Sequence, residues 1–368
     1  MTSINRKTFL SKVARVGGAV ATGGYLLDSG MAHPASASTR DFDVIYHGEV
    51  FNAHGATLNI AQWGGIWQTE QHKVVLDKFQ KDFNCKINYD PNFPYYPKLV
   101  AGGMDHPPYD LINQNLPEAF LSKRFYVPVE EVRANVPNAK DIWPFAFRGT
   151  GIIWSFSQYG YAYRTDLVKG PPPRDFRDIW QDRFKGKRGT YDTTNTLEYV
   201  FFMVAAKVFG GSPENIKAGL AAMQRGKPWV VSHFTGNMQS LLTSGEVAIA
   251  VLDDGEAYQL IDKGVKVRWM PWTELKPVLV QNVSITRGSK NKRLAYALLN
   301  RYCSAEVQQK WAEIFYFRPT NRRVKIPKNL ASKGVHNTAD AMSGLWVPPW
   351  DWWNAHQQSI IAQLNPIL

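Results

Sequence analysis

The sequence predicts an α/β fold with room for two domains. Short strand-like runs alternate with amphipathic helical patterns, polar residues gather where the strands end, and 368 residues suffice for two domains of ordinary size. An apolar fraction of 44%, with 13 Trp, 16 Tyr and 19 Phe, supplies sizeable cores and excludes a disordered or fibrous chain.

Thr57 to Ala61 reads as a strand, and Gln62-Trp63-Gly64-Gly65 turns out of it. Val75, Phe79 and Phe83, with Leu76 beside them, then form one apolar helical stripe. Cys85 to Tyr89 is a second strand, and Tyr109 to Ile112 a third, ending in the polar Asn113-Gln114-Asn115. Phe145 to Tyr163 is aromatic, Gly-rich and poor in periodicity, which suits a passage between domains. Lys169-Gly170-Pro171-Pro172-Pro173 reads as a rigid surface connection.

A second α/β unit follows. Leu197 to Val208 predicts a strongly amphipathic helix, and Ile216, Leu220 and Met223 another. Val247 to Leu252, Val265 to Trp269 and Val278 to Ile285 are strand-like, and Lys292 to Tyr302 and Ala305 to Ile314 are helical. Trp346 to Trp353, containing Pro348-Pro349, reads as irregular chain packed across a domain.

The first residues read as an export signal. Arg6, Lys7, Lys12 and Arg15 form a basic start, and Val13 to Leu27 is a mildly apolar, Gly- and Ala-rich run. Ala35-Ser36-Ala37 then offers small side chains to a signal peptidase, which predicts a signal over 1–37 cleaved near Ala37. Arg6 to Lys12 is similar to a twin-arginine motif with Lys7 in place of the second arginine, so the export route stays open between the folded and the general secretory pathways. Beyond it no apolar run approaches the roughly 20 residues needed to span a bilayer.

The net charge is +12, yet no block of five basic residues occurs, and Arg322-Arg323 with Lys325 is the densest cluster. A solvated basic surface is therefore expected rather than a nucleic-acid site. Cys85 and Cys303 lack metal-ligand spacing; one bridge and two buried thiols both fit them, and no metal or cofactor is expected.

Several ordered segments carry a resemblance. These are Trp63-Gly64-Gly65, Asp175-Phe176 to Ile179-Trp180, Phe184-Lys185-Gly186-Lys187, Gly245 to Ile249, Gly288 to Lys292, and Tyr316 with Pro319-Thr320-Asn321. From about Ala56 to Arg323 the chain resembles the type II periplasmic substrate-binding proteins of ABC importers, above all their spermidine/putrescine-binding branch. The resemblance implies a two-lobed, type II periplasmic-binding-protein-like fold with a hinge and an inter-lobe ligand cleft. Lobe 1 would take residues 42–158 and 272–325, and lobe 2 residues 159–271 and 326–368. It implies a periplasmic monomer that hands a small solute to an ABC permease with its ATPase, without catalysis.

The same resemblance nominates ligand contacts. Trp63 stands where polyamine-binding relatives place a cleft tryptophan, whose face attracts cations. Gly64 and Gly65 leave backbone amides open before a helix. Asn115 stands where relatives carry a small hydroxyl residue, and relatives place an acid near Asp192 and Thr193; a plain capping role serves Asn115 and Asp192 as well. Asp253-Asp254-Gly255-Glu256 puts three acids within four residues at the end of an apolar strand. That pattern reads either as an ammonium clamp or as acids offsetting a helix dipole. Asp253 replaces a family tryptophan and Gln281 a family aspartate, so an amine ligand is kept but not spermidine or putrescine in particular. Tyr316 and Trp269 are candidate wall residues. Tyr95-Tyr96 lies in the wrong segment for the tyrosine pair of ferric-binding relatives.

The rival readings are a receptor for a carboxylate or phosphonate, a signalling receptor, and a periplasmic hydrolase. The last lacks a G-x-S-x-G, H-E-x-x-H or C-x-x-C pattern, and His72, His233 and His356 are isolated.

Overall fold

A strand of thirteen residues, β4, runs through the middle of the molecule and belongs to two sections of sheet at once. The computed structural model describes residues 46–368; the export segment read at 1–37 lies outside them. The strands are β1 (Thr57–Ala61), β2 (Lys86–Asp90), β3 (Leu111–Gln114), β4 (Ile152–Arg164), β5 (Arg188–Tyr191), β6 (Val230–Ser232), β7 (Ile249–Asp253), β8 (Val267–Pro271), β9 (Lys276–Ile285), β10 (Arg318–Pro319) and β11 (Leu345–Trp346). Their order is β2-β1-β3-β9-β4-β7-β5-β6, with β8 and β10 also paired to β4 and β11 to β9.

The first half of β4, Ile152 to Gln158, pairs with β9, and the second half, from Tyr159, pairs with β7. One section is thus built around β1, β2, β3 and β9, the other around β5, β6, β7 and β8. Because β4 ties them together, the described residues form one compact unit. Within each section the inner pairs β1–β2, β1–β3, β5–β6 and β5–β7 are parallel. Parallel neighbours need crossover connections, which explains the helices between them.

The relevant helices are α1 (Ile66–Gln71), α2 (Asp77–Phe83), α3 (Leu116–Leu121), α4 (Thr196–Gly210), α5 (Ile216–Gly226), α6 (Thr235–Ser244), α7 (Asp254–Asp262), α8 (Lys292–Tyr302), α9 (Ala305–Phe315) and α10 (Trp350–Leu364). A single wider turn, His72–Leu76, joins α1 to α2, and the stripe of Val75, Leu76, Phe79 and Phe83 is buried against the sheet. Two sequence readings are corrected. Residues 196–206 of α4 are buried all round rather than on one face, because the second section and α10 enclose them. The irregular stretch expected at 346–353 becomes α10 from Trp350 onward, with Pro349 as its N-cap, a place where proline's missing N–H costs nothing.

Gly160 is required where β4 meets β8: an added Cβ would lie 2.2 Å from the Met270 carbonyl oxygen and 2.8 Å from the Trp269 ring. Cys85 and Cys303 are both free and buried, and burial raises the Cys85 thiol to about 11. No described helix is long and apolar enough to cross a membrane. Among the described residues no three His, Cys, Asp or Glu side chains gather to hold a metal ion.

Candidate functional site

Strand register assembles a polar face at the junction of the two sections. Residues directly opposite in a pair share a face, and side chains alternate along a strand. Asn113 stands opposite Val283, Gln281 opposite Ser155, and Tyr159 opposite Asp253. Asn113, Gln281, Ser155, Ser157, Tyr159 and Asp253 therefore line one face across four strands. All six are buried. The other face of β4 is apolar: Trp154 packs against Tyr302 and Trp311, and Phe156 against Phe145.

Buried polar atoms normally find partners, so unpaired ones mark places where a protein has another use for them. On this face Asn113 Oδ1, Ser155 Oγ, Ser157 Oγ, the Tyr159 hydroxyl and Asp253 Oδ2 are shielded from solvent with no hydrogen-bond partner. Asn115 Oδ1, Glu118 Oε2, the Tyr191 hydroxyl and Glu198 Oε1 share that state. Gln281 Oε1 is the organised member, accepting from Trp63 Nε1 at 2.8 Å and from Asn113 Nδ2 at 3.2 Å. That bond fixes the Trp63 indole, which lies near the Phe93 and Tyr95 rings at 5.6 and 6.4 Å.

The strand ends supply the rest. Asn115 is the N-cap of α3 but makes no side-chain cap bond. Its Nδ2 reaches across to Thr196 Oγ1 at 3.2 Å, joining the two sections. Asp192 is not the cap of α4, since Asn195 accepts the Leu197 N–H at 2.9 Å. Asp192 instead accepts from the Thr194 N–H and hydroxyl at 2.9 and 2.6 Å and contacts His233. Burial opposes its ionisation, but these bonds outweigh it and lower its pKa. Thr193 donates to Asn365 Oδ1 at 2.6 Å.

The three acids separate into different roles. Asp253 caps α7 through Oδ1, which accepts the Glu256 N–H at 3.3 Å, leaving Oδ2 free. Burial, then the charges of Glu256 and Asp254, push its carboxyl well above the ordinary range, against the Glu256 N–H and the Ser157 hydroxyl, which lies beside it outside ideal bonding geometry. Asp254 is wholly buried and accepts from the Gln158 N–H at 2.9 Å and from the Arg318 guanidinium. Its charge is already matched by Arg318, so the expected clamp reduces to Asp253. Glu256 is bonded by Gln239, and burial raises its pKa.

Two further carboxyls went unnoticed in the sequence. Burial lifts Glu118, on α3, to about 7. Glu198, on α4, is raised to about 8 by burial, against bonds from Thr190 and the Tyr191 N–H. Burial pushes the Tyr159 phenol far upward, and the charges of Asp253 and Glu118 act in the same direction.

Other nominated residues stand elsewhere. Gly64 packs on Pro91, where a Cβ would approach to 2.9 Å, and Gly65 takes φ 65° ahead of α1. Trp269 covers Gly160, on the face of β4 opposite Tyr159. Tyr316 bonds Asp262 and lies 6.0 Å from Tyr258, which in turn neighbours Trp269. Tyr316 and Trp269 thus belong to the back of α7 and do not join the polar face. The one sequence trace of that face is the alternation Ser155, Ser157, Tyr159 between Trp154, Phe156 and Gln158.

A polar face at the junction of two sheet sections, beyond the carboxyl ends of parallel strands, is the arrangement of a protein that holds a small molecule between lobes. The chain belongs to the bacterial extracellular solute-binding protein family, whose sequence profile matches residues 75–338. The fold is that of two-lobed solute-binding structures. An ABC transporter from Clostridium perfringens ATCC 13124 is 20% identical, covering 84% of this chain and 99% of its own, with a TM-score of 0.71. PotD, a spermidine/putrescine ABC transporter substrate-binding protein from Streptococcus pneumoniae, is 19% identical over 85% of this chain and 99% of its own, with a TM-score of 0.66. AgtB from Agrobacterium tumefaciens R10, in complex with agropinic acid, is 18% identical over 85% and 98%, with a TM-score of 0.65. No curated protein sequence matches the chain.

Proposed function

We propose that the chain is the exported, periplasmic, monomeric receptor of an ABC importer, which captures a small polar solute carrying an amine and delivers it to a permease without chemical change. The observation that carries the amine is Asp253: its Oδ2 is buried without a close hydrogen-bond partner on the strand pair with Tyr159, and burial and the neighbouring acids make its ionisation costly without a counter-ion. An ammonium placed there pairs with the carboxylate and relieves the repulsion. Trp63, Asn115, Asp192, Thr193 and Gln281 complete the ligand shell, and Ser155, Ser157, Tyr159, Glu118 and Glu198 are added to it. Gly64 and Gly65 shape the turn beside Trp63.

The lobes in this reading are 42–158 with 272–325 and 159–271 with 326–368. The change of partner strand between Gln158 and Tyr159 supports the first boundary. The structural neighbours serve different ligands, since one is a GABA receptor and another holds agropinic acid, so the solute is identified by class alone.

A thermal-shift screen of diamines, amino acids, carboxylates and phosphonates tests the reading. A ligand at about 100 times its Kd adds roughly 2.7 kcal/mol. Stabilisation by carboxylates or phosphonates alone removes the amine assignment, and turnover of any of them removes the receptor assignment.

A further inference from the structure

The C-terminal helix α10 makes specific contacts with both sections of the sheet. Toward the first section, Asn354 Nδ2 donates to the Pro117 carbonyl at the start of α3 at 2.9 Å, and Asp351 pairs with Lys123 at 2.8 Å. Toward the second, the fully buried Trp353 packs 4.6 Å from the Tyr199 ring and 6.1 Å from Phe202, both on α4. Beyond the helix end, Asn365 Oδ1 holds the Thr193 hydroxyl at 2.6 Å, and the Pro366 carbonyl accepts from Lys227 at 3.0 Å.

These contacts surround the Asn115–Thr196 bond, which also runs from one section to the other. Opening the cleft separates the sections, and α10 cannot then keep both sets of partners. We propose that α10 is a strap across the two lobes that favours the closed form before any solute arrives. Asn354 and Asn365 are its positioning residues, and Asn365 also orients Thr193 within the binding loop. The proposal rests on the two lobes opening and closing, and it extends the receptor reading by naming what sets that equilibrium.

The strap's polar contacts are individually modest. A neutral hydrogen bond shifts a two-state balance about fivefold and the exposed Asp351–Lys123 pair less than that, so removing two bonds shifts it about thirtyfold.

The test uses spin labels at Lys81→Cys on α2 and Lys217→Cys on α5, both exposed, in the full chain, where the native thiols are buried. Electron–electron distance measurements without solute are expected to show mostly the shorter distance. Asn354→Ala with Asn365→Ala should shift the balance toward the longer distance about thirtyfold, with a small loss of melting temperature. A lowered melting temperature with unaltered distances makes the contacts purely structural and overturns the strap. Should the double variant fail to fold, Asp351→Ala, at an exposed position, serves with an expected shift of about twofold, and no shift there also overturns it. Adding 1,4-diaminobutane separates the two readings. Labels that respond to the substitutions but not to the diamine keep the strap and count against the amine. A diamine effect with no effect of the substitutions does the reverse.

Discussion

Tyr159 and Asp253 face each other as a directly opposed pair of β4 and β7, and each carries a buried oxygen without a partner. The pair sits where β4 changes from one section to the other. An unpaired buried hydroxyl beside a carboxyl whose ionisation burial disfavours destabilises the ligand-free protein, and a solute that bonds both removes that cost.

Tyr159→Phe should therefore raise the stability of the ligand-free protein by about 1–3 kcal/mol while weakening solute binding. Chemical denaturation with and without the solute from the screen measures both. A variant less stable without solute would mean the hydroxyl already has a partner.

Asp253 and Asp254 should behave differently despite being neighbours. Asp254→Asn leaves Arg318 buried without its counter-charge, and breaking a buried pair of this kind costs about 3–5 kcal/mol. Asp253→Asn should leave the fold intact, because the asparagine oxygen still caps α7, and should lower amine affinity at least tenfold. Calorimetry that finds equal affinity in wild type and Asp253→Asn removes Asp253 from the site.

Amine affinity should rise with pH. The Asp253 carboxyl lies above its ordinary value in the ligand-free protein, and an ammonium favours the ionised form, so binding releases a proton. Affinity then increases until Asp253 is ionised on its own, provided the amine stays protonated. Titration in buffers of different ionisation enthalpy counts the proton. Amine binding with no proton release at any pH where the amine is charged contradicts the assignment.

Glu198 makes a prediction about the stability of the ligand-free protein. Its pKa of about 8 exceeds that of an unfolded glutamate, so the native state holds the proton more tightly. Stability from this group is complete below about pH 4.5 and is lost as pH rises through about 8. Glu198→Gln keeps an oxygen for Thr190 and the Tyr191 N–H and should flatten the decline between pH 5 and 8. Melting curves that decline equally in both proteins would show that Glu198 is not the group responsible.

Much of the scaffold was legible in the chain. Thr57 to Ala61 and the helices at 292–302 and 305–315 lie where their periodicity puts them, because each buries one stripe or one face. β4 was not recognised as a strand, since with both faces buried its aromatic and polar residues show no solvent-facing alternation. The role of Asp254 was invisible for a different reason: Arg318 lies 64 residues away, and no local pattern reports such a partner. The resemblance nominated Trp63 and Gln281 separately, and their mutual bond spans 218 residues. Glu118 and Glu198 were hidden inside helices, where a glutamate ordinarily signals a solvated face.

Among the described residues, Ser155, Ser157 and Tyr159 sit on the one strand common to both halves of the sheet, next to its irregular pairing between Ile153 and Ser155. A guest molecule bonded to that row of hydroxyls acts as a splint on the backbone that must flex. In the proposed receptor, tight capture and a stiffened hinge would be a single mechanical event, and the transporter would have to bend the strand back to strip its cargo.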